Sequence, residues 1–396
     1  MRKKNHHSLQ SIDYSTDGLV ESDNLTKHEQ RMLFIHLTDP ESNSYNIPFC
    51  VQFHESVNVY ENLSLVLKRV PILCTRFTAQ SKATSDVPLV IEDLQANDVD
   101  VLAPFDLENG PLCRFAVDKE KNILKGSIHH SIADGRSMNV LFEAIATGHC
   151  KESTMGLTVR KYAALEASSE MKEKYTDSVE EWKEIMGDTL PRLAVDFTAD
   201  HVVHTGDDVV SLSPSLVYNS TVTLDAVTVA GLRSLCQEKG VSMFTAALSI
   251  LHHCLRAYSH DAFAVGIAHD VRPPQFADTV GMFVNTVLVP FEGGKEGGYE
   301  RVEDLHRRWT NDILPHATTP YDMVSSMGYG CSVFLAFNVG LLNDRDLRVV
   351  GDTNVEEEML YHDVDVNADS ADRSLINNED ERRMSVSRRC HDVVCV

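Results

Sequence analysis

The sequence predicts a mixed α/β (α+β) protein in which strands and helices alternate through both halves of the chain. β-Branched and apolar residues predict strands at Ile47–Phe53 and Ile123–His129, and apolar spacing predicts a helix at Met138–Ala146. The second half repeats this mixed order from Tyr218 to Pro290. No short-period repeat is visible along the chain, which excludes a solenoid.

The first helix is predicted to begin close to residue 25. Polar residues without a hydrophobic pattern fill residues 1–24, and we expect a loose tail there. The body starts at Leu25, where Thr26 can cap a helix and Glu29 follows at the spacing of a capping box.

Local patterns predict further strands and helices in the second half. The strands lie at Tyr218–Leu224, Ala262–Ala268 and Phe283–Pro290, and the helices at Ala226–Lys239 and Met243–Tyr258.

Two changes of character along the chain predict its domain boundaries. The charged helix Glu166–Lys183 precedes the pattern-breaking segment Leu190–Leu193, so a first lobe over 25–190 is expected to pass into a second over 191–343. After that point the residues are charged and poor in periodic apolar positions, which predicts a disordered tail over 344–396.

The charge balance disfavours nucleic-acid and membrane partners. Lys and Arg total 36 against 59 Asp and Glu, which gives a formal net charge of −23. Such a surface repels phosphate backbones and anionic lipids. No apolar run is long enough for a membrane span, so none is expected.

The N-terminal and cysteine patterns predict a cytoplasmic protein. The basic start Met1–Lys4 is followed by polar residues rather than an apolar run, so a signal peptide is not expected. The nine cysteines are scattered without a C-x-x-C pair. This pattern favours free thiols in a reducing cytosol over a disulfide framework or a zinc site.

The segment HHSIADG, residues 129–135, contains the side chains best suited to chemistry. A strand delivers His129 and His130, a short turn follows, and Asp134 leads into a helix through Gly135. Because histidine exchanges a proton near neutral pH, one on this turn is a candidate general base. Asp134 is close enough to hold the turn by pairing with a cation, and Gly135 permits a close approach of the backbone.

Two other interpretations of this segment stay open from the residues alone. The histidines can form a buried structural pair, with Asp134 as an ordinary helix N-cap. Two histidines and a carboxylate could also bind a metal. The metal interpretation is the weaker one, because neighbouring histidines on a strand point to opposite faces.

Together with other segments, HHSIADG resembles the HHxxxDG signature of nonribosomal peptide synthetase condensation domains. Relatives of these domains include carnitine, wax-ester and alcohol acyltransferases. The segment PFDLENGPL, residues 104–112, is similar to the family's PFDLxxGPL, and VGMFVNT, residues 280–286, to its GxFVNT motif. The resemblance covers roughly residues 25–343, and the other segments that match in the same order are Leu25–Phe34, Tyr45–Phe49, Arg69–Phe77 and His316–Asp322.

The resemblance implies two chloramphenicol-acetyltransferase-like lobes in a V-shaped pseudo-dimer, with mixed sheets and flanking helices. In the family, a tunnel runs between the lobes to the second histidine of the motif, which is His130 here. Relatives continue past the strand Phe334–Asn338 with further strands and a closing helix. A truncated second lobe with an unpaired sheet edge is therefore one expectation.

The resemblance also implies the chemistry. His130 would deprotonate or position an acceptor amine or hydroxyl as it attacks an acyl thioester. The donor would be a carrier protein bearing phosphopantetheine, or an acyl-CoA, and the acceptor a small-molecule amine or alcohol. A thioester is already activated, so neither a metal nor a bound cofactor is expected.

The other predicted site residues take supporting roles by the same resemblance. His129 would be structural, and Asp134 would form a buried pair with Arg272, whose loss could cost about 3–5 kcal/mol. An exposed ion pair of little energetic value is the alternative. Gly135 would begin a helix whose amide end faces the reacting centre. Asn285 is a candidate for the tunnel wall, or else a strand-end residue that closes a turn.

Three functions remain in competition. The leading one is a condensation enzyme that joins a carrier-bound acyl or aminoacyl thioester to an amine, as the PFDLENGPL segment favours. The second is an acyl-CoA-dependent O- or N-acyltransferase acting on a small molecule, as the length of the chain favours. The third is a non-catalytic, condensation-like docking module, which the complete HHSIADG segment argues against.

Overall fold

The computed structural model describes most of the chain between residues 20 and 336, and two short segments beyond it. The described residues are 20–78, 80–95, 99–151, 156–187, 204–205, 208–209, 221–256, 262–292, 300–331, 333–336, 361–364 and 383–385. Residues 1–19 of the predicted tail, the boundary segment Leu190–Leu193 and most of the range 344–396 lie outside them. The predicted domain boundaries therefore stay predictions.

Helices and strands alternate as the sequence predicts. The helices are α1 Lys27–Thr38, α2 Val59–Arg69, α3 Gly135–Thr147, α4 Val159–Glu166, α5 Ser169–Met186, α6 Ala226–Lys239, α7 Met243–Arg256, α8 Val302–Arg308 and α9 Tyr321–Ser325. Short 3-10 turns lie at Pro71–Cys74, Pro274–Phe276 and Leu314–His316, and a π-helical turn at Trp309–Ile313.

The strands are shorter and more numerous. They are β1 Asn46–Phe53, β2 Arg76–Phe77, β3 Ala83–Thr84, β4 Ile91–Asp93, β5 Cys113–Asp118, β6 Ile123–His129, β7 His204–Thr205, β8 Asp208–Val209, β9 Thr221–Thr223, β10 Phe263–Asp270, β11 Val284–Phe291, β12 Val333–Ala336, β13 Tyr361–Val364 and β14 Arg383–Ser385.

The chain forms two compact units that are not continuous in sequence. The first contains the described residues up to Lys172, the distant segment Val271–Val284 and strand β13. The second contains the described residues from 173 to 270, those from 285 to 336, and strand β14. The segment Val271–Val284 thus belongs to the unit that contains the HHSIADG turn.

A mixed sheet of order β13-β1-β6-β5-β4 is the centre of the first unit. Strand β6 pairs antiparallel with both β1 and β5, so the strand that ends in His129 is held on both edges. On one face of this sheet, Phe49 packs against Phe115 and, from α3, against Phe142, with ring centroids 6.0 and 5.4 Å apart. The apolar core is therefore packed directly behind the strand that delivers the histidines.

Gly126 allows the neighbouring strands to approach β6 closely. A Cβ atom at this position would lie 2.4 Å from the carbonyl oxygen of Arg114 and 2.6 Å from Cζ of Phe49. Neither neighbour can move easily, because one is backbone in the paired strand and the other is a core ring. The position requires glycine for packing, three residues before His129.

The predicted capping box at the start of α1 is confirmed. The Thr26 hydroxyl accepts a hydrogen bond from the Glu29 amide at 3.1 Å, and the Glu29 carboxylate accepts one from the Thr26 amide at 2.7 Å. Arg160 of α4 pairs with the same carboxylate, and Glu166 accepts a hydrogen bond from the Lys27 amide at 2.7 Å. Helix α1 is thereby tied to α4 within the first unit.

The second unit contains a sheet of order β11-β10-β12, in which β10 and β12 are parallel. Helix α6 has the predicted bounds, Ala226–Lys239; Asp225 caps its start, and Gly240, at φ 65°, ends it. Glycine is favoured at this last position because a positive φ costs other residues energy.

A pair of glycine substitutions tests the packing behind β6. We expect Gly126→Ala to lower the free energy of unfolding by about 1–3 kcal/mol, because the added methyl group overpacks the sheet. Gly231→Ala, inside α6 with no atom near its Cβ position, should instead raise it by about 0.5–1 kcal/mol through helix propensity. Denaturant unfolding measures both, and a Gly126→Ala protein as stable as the parent would contradict the packing argument.

Candidate active site

Strand pairing continues past the end of β6 and fixes both histidines of the motif. The His129 amide donates to the Leu112 carbonyl at 2.8 Å, and the His130 amide donates to the Tyr45 carbonyl at 2.7 Å. Each histidine residue is only 3% exposed. The backbone that presents the two imidazoles is therefore anchored from both sides of the strand.

The His129 ring forms hydrogen-bonding contacts with Ser131, two residues further along the turn. Its Nδ1 accepts a hydrogen bond from the Ser131 amide at 3.2 Å and lies 2.8 Å from the Ser131 hydroxyl. An Nδ1 that accepts from an amide carries no proton, so the neutral ring is protonated at Nε2. Burial, with smaller effects of His36 and His130, lowers the pKa of His129 to about 3. The ring stays neutral and secures the turn.

His130 is buried but has an unsatisfied ring nitrogen. Burial lowers its pKa from the usual 6.5, while the Asp134 carboxylate and the carbonyls of His130 and Ala133 act in the opposite direction. Among the described residues, its Nδ1 has no hydrogen-bond partner. A neutral imidazole with this environment is able to accept a proton from a group bound next to it.

Asp134 caps helix α3 and explains why the helix begins at Gly135, earlier than the apolar spacing predicts. Its Oδ1 accepts a hydrogen bond from the Ser137 amide at 2.9 Å and lies 2.8 Å from the Ser137 hydroxyl. Its Oδ2 accepts from the Phe283 amide at 2.9 Å. The carboxylate therefore joins the motif to a segment almost 150 residues further along the chain, within the same unit.

The structure brings Arg272 to this carboxylate. Nη2 of Arg272 lies 2.8 Å from Oδ1 and 3.0 Å from Oδ2 of Asp134, and the two side chains are 2% and 1% exposed. The guanidinium also lies over the Phe283 ring at 4.3 Å, and its Nε donates to the Thr279 carbonyl at 3.2 Å. The pair is buried, which is the first of the two arrangements considered from the sequence.

The electrostatics of the pair keep Asp134 ionised. Burial alone would raise the pKa of Asp134, but the charge and hydrogen bond of Arg272, with the amides of Ser137 and Phe283, outweigh it and lower the pKa below 3.8. Because the buried carboxylate is paired and hydrogen-bonded, its desolvation is compensated.

Ser137 makes hydrogen bonds to the Asp134–Arg272 pair that the sequence did not lead us to expect. Its hydroxyl accepts hydrogen bonds from the Gly281 amide at 3.0 Å and from Arg272 at 3.1 Å, and it is 2.8 Å from Asp134 and 2.9 Å from the Gly281 carbonyl. With one proton to donate, it serves either the carboxylate or the carbonyl. The available signal was its position three residues after the N-cap, where a side chain can reach back to the cap.

Asn285 lies in the second unit at the start of β11. Its Nδ2 donates to the carbonyls of Ala317 and Thr319 at 2.8 and 2.7 Å, and its Oδ1 accepts from the Tyr321 amide at 3.1 Å. All three contacts hold the loop before α9. These contacts agree with the turn-closing alternative for Asn285, and its place in a tunnel wall stays a prediction.

Helix α1 contributes two histidines that sequence reasoning also missed. His28 is 4% exposed, and its Nε2 has no hydrogen-bond partner within the described residues. Burial and the charge of Arg31 lower its pKa to about 4, against the opposing charge of Asp134. His36 lies with its ring edge to face with that of His129, at a centroid distance of 6.1 Å. The four-residue spacing of His28, Met32 and His36 was the signal, since it places them along one stripe of a helix.

Neither a metal cluster nor a membrane span is found in the described parts of the chain. No three histidine, cysteine, aspartate or glutamate side chains among these residues are arranged to bind a metal ion. Of the helices that are described, none has the length and apolar character needed to cross a membrane.

The two mixed units and the buried HHSIADG turn define a protein of the HHxxxDG class, and comparison with known proteins gives the family. The sequence matches the family model of the condensation domain over residues 22–327. This match covers well over half of the chain, so the protein belongs to the condensation domain family of nonribosomal peptide synthetases.

Curated relatives are much larger proteins. One of the linear gramicidin synthase proteins of Brevibacillus parabrevis is 25% identical over 333 residues, which is 74% of this chain and 4% of that protein. Surfactin synthase subunit 2 of Bacillus subtilis is 21% identical over 328 residues, or 76% of this chain and 9% of that protein. The chain thus spans less than a tenth of the length of either relative.

Solved structures confirm the predicted fold class. The X-domain from teicoplanin biosynthesis has a TM-score of 0.64 at 17% identity, covering 95% of this chain and 92% of that one. The starter condensation domain of rhizomide synthetase, in complex with C8-CoA and Leu-SNAC, has a TM-score of 0.64 at 12% identity, covering 94% and 90%. At these identities the likeness concerns the fold alone.

Removal of Arg272 should be strongly destabilising at neutral pH. Arg272→Met leaves the Asp134 carboxylate buried without its cation, and we expect a loss of about 3–5 kcal/mol in the free energy of unfolding. Lys183→Ala, which breaks a pair with Glu180 on the surface, is the matched control and should change it little. Denaturant unfolding at pH 7 gives both values.

The pH dependence of this loss provides a second check. The pKa of Asp134 is lowered by folding from 3.8, so the pair stabilises the parent protein above that pH and less as pH falls through the folded pKa. In Arg272→Met the uncompensated burial raises the pKa of Asp134, and acid neutralises the buried charge. The difference between the two proteins should therefore narrow as pH falls from the raised pKa of Asp134 in the variant, above 3.8, to its lowered pKa in the parent, below 3.8. A constant difference across this range would refute the pairing argument.

Proposed function

We propose that this chain joins an acyl or aminoacyl thioester, borne on the phosphopantetheine of a carrier protein, to an amine acceptor, with His130 as general base. The observation that supports this most directly is the state of His130. Its backbone is fixed by the Tyr45 carbonyl, its pKa is lowered by burial, and its Nδ1 has no partner among the described residues. A base of this kind is neutral at physiological pH, and its Nδ1 is not engaged by another hydrogen bond within the described residues.

In the proposed step, the acceptor nitrogen attacks the thioester carbonyl carbon. A C–N bond forms, the C–S bond breaks, and the proton lost by the amine passes to His130 and from there to the departing thiolate. The products are an amide and the free thiol of the donor. Because the thioester is activated before it binds, positioning the two substrates and moving one proton provide the acceleration.

The neighbouring residues have distinct roles in this proposal. His129 supports the turn through Ser131, and the Asp134–Arg272 pair fixes the start of α3. At that start, Gly135 contributes to the amide end of a helix of 13 residues, where developing negative charge is favoured. These contacts act by holding His130 in place, and no metal or resident cofactor is part of the step.

An acyl-CoA donor is the second candidate. The rhizomide synthetase starter domain, which shares this fold, was solved in complex with C8-CoA and Leu-SNAC. That observation favours testing coenzyme A thioesters, with a small-molecule amine or alcohol as acceptor, beside carrier-bound donors.

A non-catalytic docking module is the third candidate. The X-domain from teicoplanin biosynthesis, whose fold is similar, was solved in a complex with OxyB. Against this, the HHSIADG turn of the present chain retains both histidines, the aspartate and its arginine partner in one buried cluster.

For the compartment we propose the cytoplasm. The cysteines within the described residues are Cys50, Cys74, Cys113, Cys150, Cys236, Cys254 and Cys331, and all are free thiols. Free thiols suit a reducing compartment.

Acyl transfer by the wild type should disappear in His130→Ala. Intact-mass analysis, with a panel of acyl-carrier and acyl-CoA thioesters and pooled amine and alcohol acceptors, should show transfer by the wild type. We expect a loss of about 10²–10⁴-fold in the variant, the usual contribution of a general base. His149→Ala removes an exposed histidine outside the HHSIADG turn and should keep full activity. Equal activity in His130→Ala would refute the general-base role, and transfer from coenzyme A alone would favour the second candidate.

The pH profile of transfer should follow His130. Because its pKa is lowered from 6.5, the neutral, active form predominates at pH 7 and is lost only on further acidification. Single-turnover rates with an acceptor amine of low basicity should therefore be constant around neutral pH and fall with an apparent pKa below 6.5. An apparent pKa above that value would contradict the proposed environment of the base.

A further inference from the structure

Helix α1 places His36 against the first histidine of the motif. The ring of His129 contacts two other rings: His36 at a centroid distance of 6.1 Å and an interplanar angle of 81°, and Phe105 at 5.9 Å and 78°. Both contacts are edge to face, the geometry that aromatic rings favour. The orientation of the His129 imidazole is therefore restricted by two neighbouring rings.

That orientation matters for the turn that presents His130. In this orientation Nδ1 of His129 accepts the hydrogen bond from the Ser131 amide at 3.2 Å. Ser131 directly follows His130, and the Ile132 amide in turn donates to the His129 carbonyl at 3.1 Å. A rotation of the His129 ring would release the backbone immediately after the proposed base.

His36 is presented by a helix that is itself fixed. The capping box of Thr26 and Glu29, the pairing of Glu29 with Arg160 and the contact of Glu166 with the Lys27 amide all anchor the start of α1 within the first unit. His36 lies on the last turn of the same helix. A ring on a helix anchored in this way can restrict its neighbour more strongly than one on a loop.

From these contacts we infer that His36 is a positioning residue. Together with Phe105 it holds the His129 ring in the orientation in which Nδ1 accepts the hydrogen bond from the Ser131 amide. The turn that presents His130 is thereby fixed. The inference rests on the proposed role of His130 for its effect on the reaction, but not for its effect on the His129 ring.

The charges around His36 agree with a neutral packing role. Burial lowers the pKa of His36, while Asp106 and Asp39 act in the opposite direction, and His36 in turn contributes to lowering the pKa of His129. A neutral His36 ring packs against His129 without placing a second positive charge beside it.

The test compares His36→Ala, His36→Phe and the surface control His149→Ala in the full chain labelled with ¹⁵N-histidine. The ring ¹⁵N chemical shifts of His129 report which ring nitrogen carries the proton. Its signals are assigned as those that are absent from the spectrum of His129→Gln. We expect the Nε2-protonated form in the wild type, in His36→Phe and in His149→Ala, and a mixture of tautomers in His36→Ala. In the transfer assay, kcat of His36→Ala should fall about tenfold or more with KM little changed, and His36→Phe should recover most of it.

Two results would overturn the inference: an unchanged His129 tautomer in His36→Ala, or a His36→Phe protein that behaves like His36→Ala. If the alanine variant does not fold, His36→Leu replaces it, because leucine fills a similar volume without a ring. We then expect the mixture of His129 tautomers and the lower kcat in His36→Leu. The NMR measurement does not depend on turnover, so it separates the two hypotheses. If the wild type shows no transfer activity but the ring shifts are as expected, the proposed function is refuted and the positioning role of His36 is retained.

Discussion

The buried ion pair between Asp134 and Arg272 is the interaction on which the rest of the candidate site depends. The Asp134 carboxylate caps α3, neutralises the buried guanidinium of Arg272 and accepts a hydrogen bond from the Phe283 amide. A buried charge is tolerated only when such partners are complete. The segment from Val271 to Val284 supplies most of them and is closed by a hydrogen bond from the Val271 amide to the Phe283 carbonyl. The turn, the helix start and this distant segment are thus held by one group.

The same arrangement explains why the motif needs its particular residue types. Aspartate is short enough to cap the helix from the N-cap position while still reaching an arginine. Because its pKa is lowered, the carboxylate stays ionised at neutral pH, both as helix cap and as partner of Arg272. A glutamate would displace the charge from the cap, and an asparagine would leave Arg272 without an anion. Packing supports the pair further, because the Arg272 guanidinium lies on the Phe283 ring, which also contacts Tyr162 of α4 at 4.9 Å.

Sequence patterns predicted the features that depend on local physics. Strand β6, helix α6 and the Thr26–Glu29 capping box have the predicted positions, since period, caps and turn residues lie within a few positions of one another. The pairing of Asp134 with Arg272 came from the family resemblance rather than from any local pattern. Sequence spacing could point to His36 and to the local contact of Ser137 with Asp134, but the contacts of His36 with His129 and of Ser137 with Gly281 could not be predicted. These contacts depend on how segments more than 90 residues apart in sequence pack together.

Burial affects the pKa of three histidines of this site in the same direction, and their rings differ in the hydrogen bonds that they make. It lowers the pKa of His28, His129 and His130 alike, since each charged imidazole would lose its hydration. In His129 the hydrogen bond that Nδ1 accepts from the Ser131 amide offsets part of the cost of burying the ring. In His28 and His130 a buried ring nitrogen is left unsatisfied among the described residues, which is costly in a structural histidine and useful in one that must receive a proton. Of the two, His130 lies in the HHSIADG turn, where its Nδ1 is the unsatisfied nitrogen. A turn held rigid by Asp134, Arg272 and His129 is what allows that unsatisfied nitrogen to persist in the folded protein.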